Sequence, residues 1–414
     1  MVLALRCVGN ASFQQANQYL RHMTVLIDAI EPFIVDLPTI RPHRLSMTTM
    51  AYQTMVIVRV RCSDGLEGIG EATTIGGLSY GAESPEAIHS AIENYLAPLL
   101  VGQPADNPNR LRSRMQRYVR ANSFAKSALE TALLDAQGQR LGVPVSSLLG
   151  GAQNERLAVL WTLASGNAVT DIAEAERLLA DDRHRQFKLK IGGREVRDDV
   201  EHVISIQQGL PDGVSLRVDV NQAWSESQAK PAIAVLQNAG IDLIEQPTPG
   251  RQMHALTRLS QRFEIALMAD EAVADTFDGM RLWRSGFSGA IALKIAKAGG
   301  PIGALELAHA VEAVGLDLYG GTMLEGTIGT AAAVHAWSTL RECRWGTEMF
   351  GPLLLTEDIV TESLHYCAGG VTVPDAPGLG VSIDEDKLDY FRRDGGPRRT
   401  TSIGSELKGR RHAV

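Results

Sequence analysis

The sequence predicts an α/β protein, a closed barrel of parallel strands preceded by a smaller α+β unit. Three observations carry this. The chain has 414 residues, too many for one small core and enough for a barrel of roughly 200–250 residues plus a second domain. Before about residue 150 strand patterns come first and helical patterns after. From about residue 155 short apolar runs recur between helical stretches, their starts roughly 24–30 residues apart, the size of one βα unit.

Residues 1–22 show no clear periodicity, and a second methionine, Met23, opens the first patterned run. This stretch is expected to be an upstream start or a loose, disordered extension. It has one short apolar patch with no charged region ahead of it, so it does not resemble a secretory signal. From Met23 to Glu71, VLIDAIEPFIVDLP and QTMVIVRVRCSDGLEGIGEA alternate apolar and polar residues, and Ser63-Asp64-Gly65 supplies a hairpin turn. Residues 84–150 look helical, opening on Ser84-Pro85-Glu86, a cap followed by Pro at the first helical position. Eight barrel strands follow: LAVLWTLAS, FKLKIG, SLRVDVNQ, IDLIEQP, IALMADEA, GAIALKIAK, LDLYGGTML and RWGTEMFGP. A doubly wound open sheet would have five or six strands and a Gly-rich turn after the first. Here the first ends in Ala164-Ser165-Gly166 without GxGxxG. The expected division is 23–150 for the α+β domain, 151–370 for the barrel, 371–393 for a C-terminal segment, and 394–414 for a polar, basic, disordered tail.

Composition excludes several functions. Forty Lys and Arg against 48 Asp and Glu leave a net charge of −8, which gives no support to nucleic-acid or anionic-membrane binding. An anionic substrate would need local attraction, from a metal or buried lysines. No apolar run approaches the roughly 18 residues of a membrane span. Cys7, Cys62, Cys343 and Cys367 lack CxxC spacing and fit free thiols in a cytoplasmic protein.

Polar residues at the C-terminal ends of barrel strands point into the site. The second strand carries Lys188 and Lys190, two apart and therefore on one face. The third ends in Asp219-Val220-Asn221, the fourth in Glu245-Gln246-Pro247, the fifth in Asp270-Glu271; the sixth holds Lys294 and the eighth Glu348. Asp219, Glu245 and Asp270 are 26 and 25 residues apart in sequence. Adjacent strands lie about 4.8 Å apart, so carboxylates at matching heights could meet around one ion. Any one alone reads as a solvated loop acid or helix cap. Three at matched strand ends would repel each other without a cation, and oxygen-only ligation selects Mg²⁺ or Mn²⁺ over zinc. The lysines have a plain reading as partners of these acids. Two close lysines beside a metal also disfavour each other's charge, which lowers pKa and lets one of them exchange protons near neutral pH. Lys294 would approach from the side opposite Lys190, the arrangement that proton transfer α to a carboxylate requires.

In this order KLK, DVNQ, IEQP, MADE and ALKIAK resemble the enolase superfamily, and specifically its muconate-lactonising branch. EATTIGGLSYG (71–81), ALLDAQG (132–138), WTLASG (161–166), YGGTMLEG (319–326) and WGTEMFGPLLL (345–355) extend the resemblance. It spans roughly Met23 to Arg393; IEQP alone would not select a branch. The resemblance implies a modified TIM barrel, (β/α)7β, under an N-terminal α+β capping domain, with the segment after the last strand returning to the cap. It implies Asp219, Glu245 and Asp270 as ligands of one Mn²⁺ or Mg²⁺ per subunit. Lys190 would exchange the α proton, supported by Lys188, with Lys294 stabilising the enolate and Glu348 a proton donor or a partner of the substrate carboxylate. The implied reaction is cycloisomerisation of cis,cis-muconate to muconolactone in catechol (β-ketoadipate) catabolism, by a homo-oligomer, commonly an octamer. Gly76-Gly77 would form a lid loop, with Ile75 and Tyr80 facing substrate.

Rival readings fit less well. A dipeptide epimerase of this superfamily usually carries Asp-x-Asp on the last strand, where this chain reads Gly346-Thr347-Glu348-Met349-Phe350. A mandelate-type racemase would share the metal and the flanking bases. Chloromuconate enzymes differ at pocket positions, and Ile75, Tyr80, Lys297 and Phe350 resemble the unchlorinated type. A phosphate-binding barrel would use Tyr319-Gly320-Gly321-Thr322 but leaves three carboxylates unexplained. A non-catalytic binding protein has no reason to keep the whole ring of charged residues.

Overall fold

A computed structural model of the chain describes residues 24–44 and 49–393. The expected N-terminal extension and basic tail lie outside them. Strands β1 (Ile27–Arg44), β2 (Thr49–Cys62) and β3 (Glu67–Thr73) form an antiparallel sheet in that order. The β2–β3 turn falls at Ser63-Asp64-Gly65, with Gly65 at φ 84° and its N–H donating to the Cys62 carbonyl at 2.9 Å. The alternation read from the sequence is the pleat of this sheet, one face of which carries Val35, Leu37, Met55, Ile57 and Ile69 into the core.

Helices follow: α1 (Pro85–Ala91), a π-helical turn (Ile92–Leu96), α2 (Ala97–Leu100), α3 (Pro108–Tyr118), α4 (Ser123–Leu141) and α5 (Val145–Leu148). Ser84 caps α1, accepting from the Ala87 N–H at 3.1 Å. The long α4 lies against β3 where Gly68 and Gly70 leave no side chain. A Cβ at Gly70 would sit 1.9 Å from the Ala128 carbonyl oxygen, so only glycine admits this approach.

The barrel begins with β4 (Arg156–Ala158) and β5 (Trp161–Leu163), so the first expected strand is two short ones. Only β5 joins the parallel sheet. Strands β6 (Gln186–Lys190), β7 (Ser215–Asp219), β8 (Leu243–Glu245), β9 (Ala266–Ala269), β10 (Ala290–Leu293) and β11 (Asp317–Gly320) continue it in chain order. Between them run α6 (Ala168–Ala180), α7 (Val196–Gly209), α8 (Glu226–Asn238), α9 (Met253–Arg262), α10 (Thr276–Arg284) and α11 (Pro301–Ala313), with α12 (Thr327–Ser338) after β11. The eighth expected strand is reduced to its contacts at Thr347, bridged in parallel to Val159 on one side and Gly320 on the other. Gly346 at φ 72° turns the chain in, and the Phe350 N–H turns it out by donating to the Glu348 carbonyl at 2.7 Å. The ring is thereby closed by seven strands and one short crossing, in keeping with the modified barrel expected.

Strands β12 (Tyr366–Cys367) and β13 (Gly370–Thr372) make a small antiparallel sheet with β4. Helix α13 (Glu385–Phe391) then brings the chain back to the first sheet, where Arg393 forks onto Asp36 at 2.8 Å through two nitrogens. Cys62, Cys343 and Cys367 are free thiols. Among the described residues no helix is long and apolar enough to cross a membrane.

Candidate active site

The register of the barrel strands assembles the site. Lys190 pairs with Asp219, Asp219 with Glu245, and Glu245 with Met268, so a lysine and two acids stand at one level on adjacent strands. Asp270 lies two residues past Met268 and therefore on the same face. Lys294 follows directly on β10. All three acids, with Lys188 and Lys294, are buried, because strand bodies and loops surround the barrel mouth.

Within this ring each ammonium group has found a carboxylate. Lys190 Nζ donates to Asp219 Oδ2 at 2.5 Å and Lys188 Nζ to Glu245 Oε2 at 2.8 Å, while Lys188 also pairs with Glu348. On the far side Lys294 Nζ donates to Asp270 Oδ2 at 2.6 Å and Lys297 Nζ to Asp270 Oδ1 at 2.7 Å. Tyr80, from the loop after β3, reaches the same place: its hydroxyl donates to Asp270 Oδ2 at 2.9 Å and accepts from Lys294 at 2.8 Å. Gly321 makes room for this lysine, since a Cβ there would meet Lys294 Cε at 3.0 Å.

The electrostatics follow from crowding without water. Burial, then the neighbouring Asp219 charge, pushes the Glu245 carboxyl up to about 8. Burial, then Asp270, raises Glu271 to about 7, and its Oε2 is buried without a hydrogen-bond partner. Burial opposes ionisation of Asp270 too, but the ammonium groups of Lys294 and Lys297 outweigh it and hold that carboxyl below its usual range. Lys188 runs against the expectation that paired lysines depress one another. Burial lowers its pKa, yet Glu245 and Glu348 outweigh burial and hold the ammonium well above its ordinary value.

Among the described residues no three His, Cys, Asp or Glu side chains stand grouped so as to hold one ion; each of the three acids is instead paired with lysine. The donor chemistry nevertheless fits a hard divalent cation: only oxygens, all buried, and an acid whose charge is opposed by its neighbour.

Other expected residues sit farther out. Phe350 is buried against Trp161, ring centres 5.4 Å apart, and Ile75 is buried in the loop that contains Gly76 and Gly77, both at positive φ. A groove of about 1000 Å³ on the cap, lined by Phe33, Arg59, Glu86 and Arg393 among others, contains none of the catalytic candidates. A cavity of about 90 Å³ does border Lys190.

Sequence reading missed several supports. Gln246 Oε1 accepts the Asp270 and Ala272 N–H groups at 2.9 and 3.1 Å, fixing the loop that presents Asp270. Arg217 and Tyr319 form the layer beneath, with Lys188 Nζ 5.6 Å above the Tyr319 ring and the Arg217 guanidinium 5.8 Å from it. Arg217 lies two residues before Asp219, so strand alternation carried the signal that it points inward.

Comparison with known proteins shows the family and the fold. Residues 29–150 match the mandelate racemase/muconate lactonizing enzyme N-terminal domain, and residues 170–387 the enolase C-terminal domain-like family. Muconate cycloisomerase 1 of Pseudomonas putida is 55% identical over 372 residues, covering 89% of this chain and 99% of that protein. A chloromuconate cycloisomerase of Delftia acidovorans is 41% identical over 367 residues, covering 89% and 99%. The crystal structure of the Pseudomonas fluorescens muconate lactonizing enzyme complexed with muconolactone superposes with a TM-score of 0.88 at 54% identity, covering 89% of this chain and all of that one. Identity over nearly the whole length, on one fold, places the chain in the muconate cycloisomerase branch of the enolase superfamily.

Proposed function

We propose that this enzyme interconverts cis,cis-muconate and muconolactone in aromatic catabolism, acting in the cytoplasm as a homo-oligomer. The observation that carries the reading is the buried ring itself. Three acids stand on consecutive strands, with Lys190 on one side and Lys294 on the other. The higher identity to muconate than to chloromuconate cycloisomerases favours the unsubstituted substrate.

Muconate cycloisomerases of the enolase superfamily are divalent-metal-dependent. In this chain Asp219, Glu245 and Asp270 would hold the ion, Mn²⁺ or Mg²⁺. When bound, it supplies positive charge where the substrate carboxylate becomes an enediolate. The residues do the rest. Closure of the lactone needs the flexible diacid curled so that one carboxylate oxygen meets the far alkene carbon, and the cap loop bearing Tyr80 restricts that space. Lys190 delivers a proton to the α carbon in lactonisation and takes it back in reverse. Lys188, clamped between Glu245 and Glu348, keeps its charge and holds both acids in place. Lys294 adds charge from the opposite side, steadied by Tyr80.

Purified protein supplied with Mn²⁺ or Mg²⁺ is expected to bleach the ultraviolet absorption of the muconate diene, and chelation to stop it. Persistence of the diene with either ion would refute the assignment.

A further inference from the structure

A closed circuit of contacts surrounds Phe350, outside the ring of charged residues. Arg41, near the end of β1, extends from the cap to α6 of the barrel, where its Nη2 lies 3.0 Å from each oxygen of Glu174. Glu174 Oε1 also accepts the indole N–H of Trp161 at 3.1 Å. The Trp161 ring packs on Phe350 with centres 5.4 Å apart and planes inclined by 55°. After Phe350 the chain makes one 3₁₀ turn, Gly351–Leu354, and returns to β1. Leu355 bridges to Thr39, and the Thr356 N–H donates to the Pro38 carbonyl at 3.0 Å.

Every link is part of one loop: β1, Arg41, Glu174, Trp161, Phe350, the 3₁₀ turn, and β1 again. Both ring residues are buried, whereas the ion pair is only partly covered, with side-chain exposures of 24% for Arg41 and 15% for Glu174. The circuit is otherwise apolar or backbone-bonded, and its side-chain polar links, the Arg41 pair and the indole N–H bond, both converge on Glu174. Phe350 is two residues from Glu348, whose carboxylate meets Lys188, so a shift of Phe350 is felt at the site.

We propose that Arg41 and Glu174 latch the first cap hairpin to the barrel and, through Trp161, fix Phe350, making them positioning residues for substrate discrimination. This rests on the reading of Phe350 as a pocket residue of a muconate-converting enzyme. Neither residue touches the reacting atoms. Their effect is on the shape of the closed pocket, and therefore on KM and on tolerance of ring substituents, while the proton-transfer step itself stays intact.

The test uses full-length protein loaded with Mn²⁺, with variants Arg41→Met, Glu174→Gln and the double variant, assayed on cis,cis-muconate and a monochlorinated muconate. Glutamine keeps an acceptor for Trp161, so Glu174→Gln removes the charge pair without stripping the indole. Each single change is expected to raise KM for muconate by roughly tenfold with kcat within about twofold, the size of one charge-assisted hydrogen bond. Preference for the unsubstituted diene should narrow, Arg41→Lys should restore part of it, and the double variant should be no worse than the poorer single one. Additive losses, or unchanged KM and preference, overturn the latch. Hydrogen exchange of residues 37–41 and α6 provides a readout independent of activity. Faster exchange in both single variants supports the latch. Unchanged protection overturns it even if muconate proves to be the wrong substrate.

Discussion

Lys190→Ala is expected to abolish lactonisation while the metal stays bound and the fold intact. The side chain is half-buried at the end of β6 and its ammonium rests on Asp219 Oδ2. Its removal takes away a proton carrier and leaves every carboxylate in place. Losing one positioned acid or base costs roughly 10²–10⁴-fold, and among the described residues no other lysine lies on that side with freedom to substitute, since Lys188 is clamped by Glu245 and Glu348. Lys190→Arg would keep the charge yet should not rescue activity, because a guanidinium does not release its proton near neutral pH. Activity in either variant within tenfold of the parent would move the role elsewhere, first to Lys294 and then to Glu348. Metal content by emission spectrometry and a circular dichroism melt keep a loss of fold from passing as a loss of chemistry.

The second large effect is expected at the acids. Replacing Asp219, Glu245 or Asp270 by Ala should weaken metal binding by well over the roughly 100-fold that outlying contacts of metal sites command, and activity should fall with it. The three will differ in stability. Asp270 holds Lys294, Lys297 and the Tyr80 hydroxyl together. Asp270→Ala leaves two buried ammonium groups without their main partner, which costs about 3–5 kcal/mol of stability. Asp219→Ala frees mainly the half-buried Lys190 and should cost less. Asp270→Asn keeps hydrogen bonding at lower charge and separates the two effects: the fold should survive while metal affinity is lost. A variant of any of the three that binds metal and turns over normally would remove that residue from the site.

Much of this site was legible because strand residues repeat by two and barrel units by about 25. Those two periods alone place Lys188 and Lys190 on one face, and Asp219, Glu245 and Asp270 at neighbouring strand ends. The same logic failed at the barrel's seam. LAVLWTLAS reads as one strand, but its first half pairs antiparallel with Gly370–Thr372, and no local pattern reports a partner so far along the chain. The last strand shrank to a crossing at Thr347, whose bounding turns at Gly346 and Phe350 resemble ordinary strand sequence. Arg41 and Glu174 are 133 positions apart, and each taken alone is an unremarkable surface charge. At Lys188 the two facing acids, Glu245 and Glu348, come from other strands, and like charges counted along one strand do not report them.

Deuterium labelling tests the central claim, that one lysine on one face handles the α proton, most directly. cis,cis-Muconate converted in D₂O, with the lactone examined by proton NMR, should contain a single deuterium on the exocyclic methylene, on one face only. Returned to the enzyme in H₂O, that lactone should lose the same deuterium by microscopic reversibility. Lys294→Ala should leave the face unchanged in whatever product forms. Label divided between the two faces, or exchange that persists in Lys190→Ala, would contradict the account.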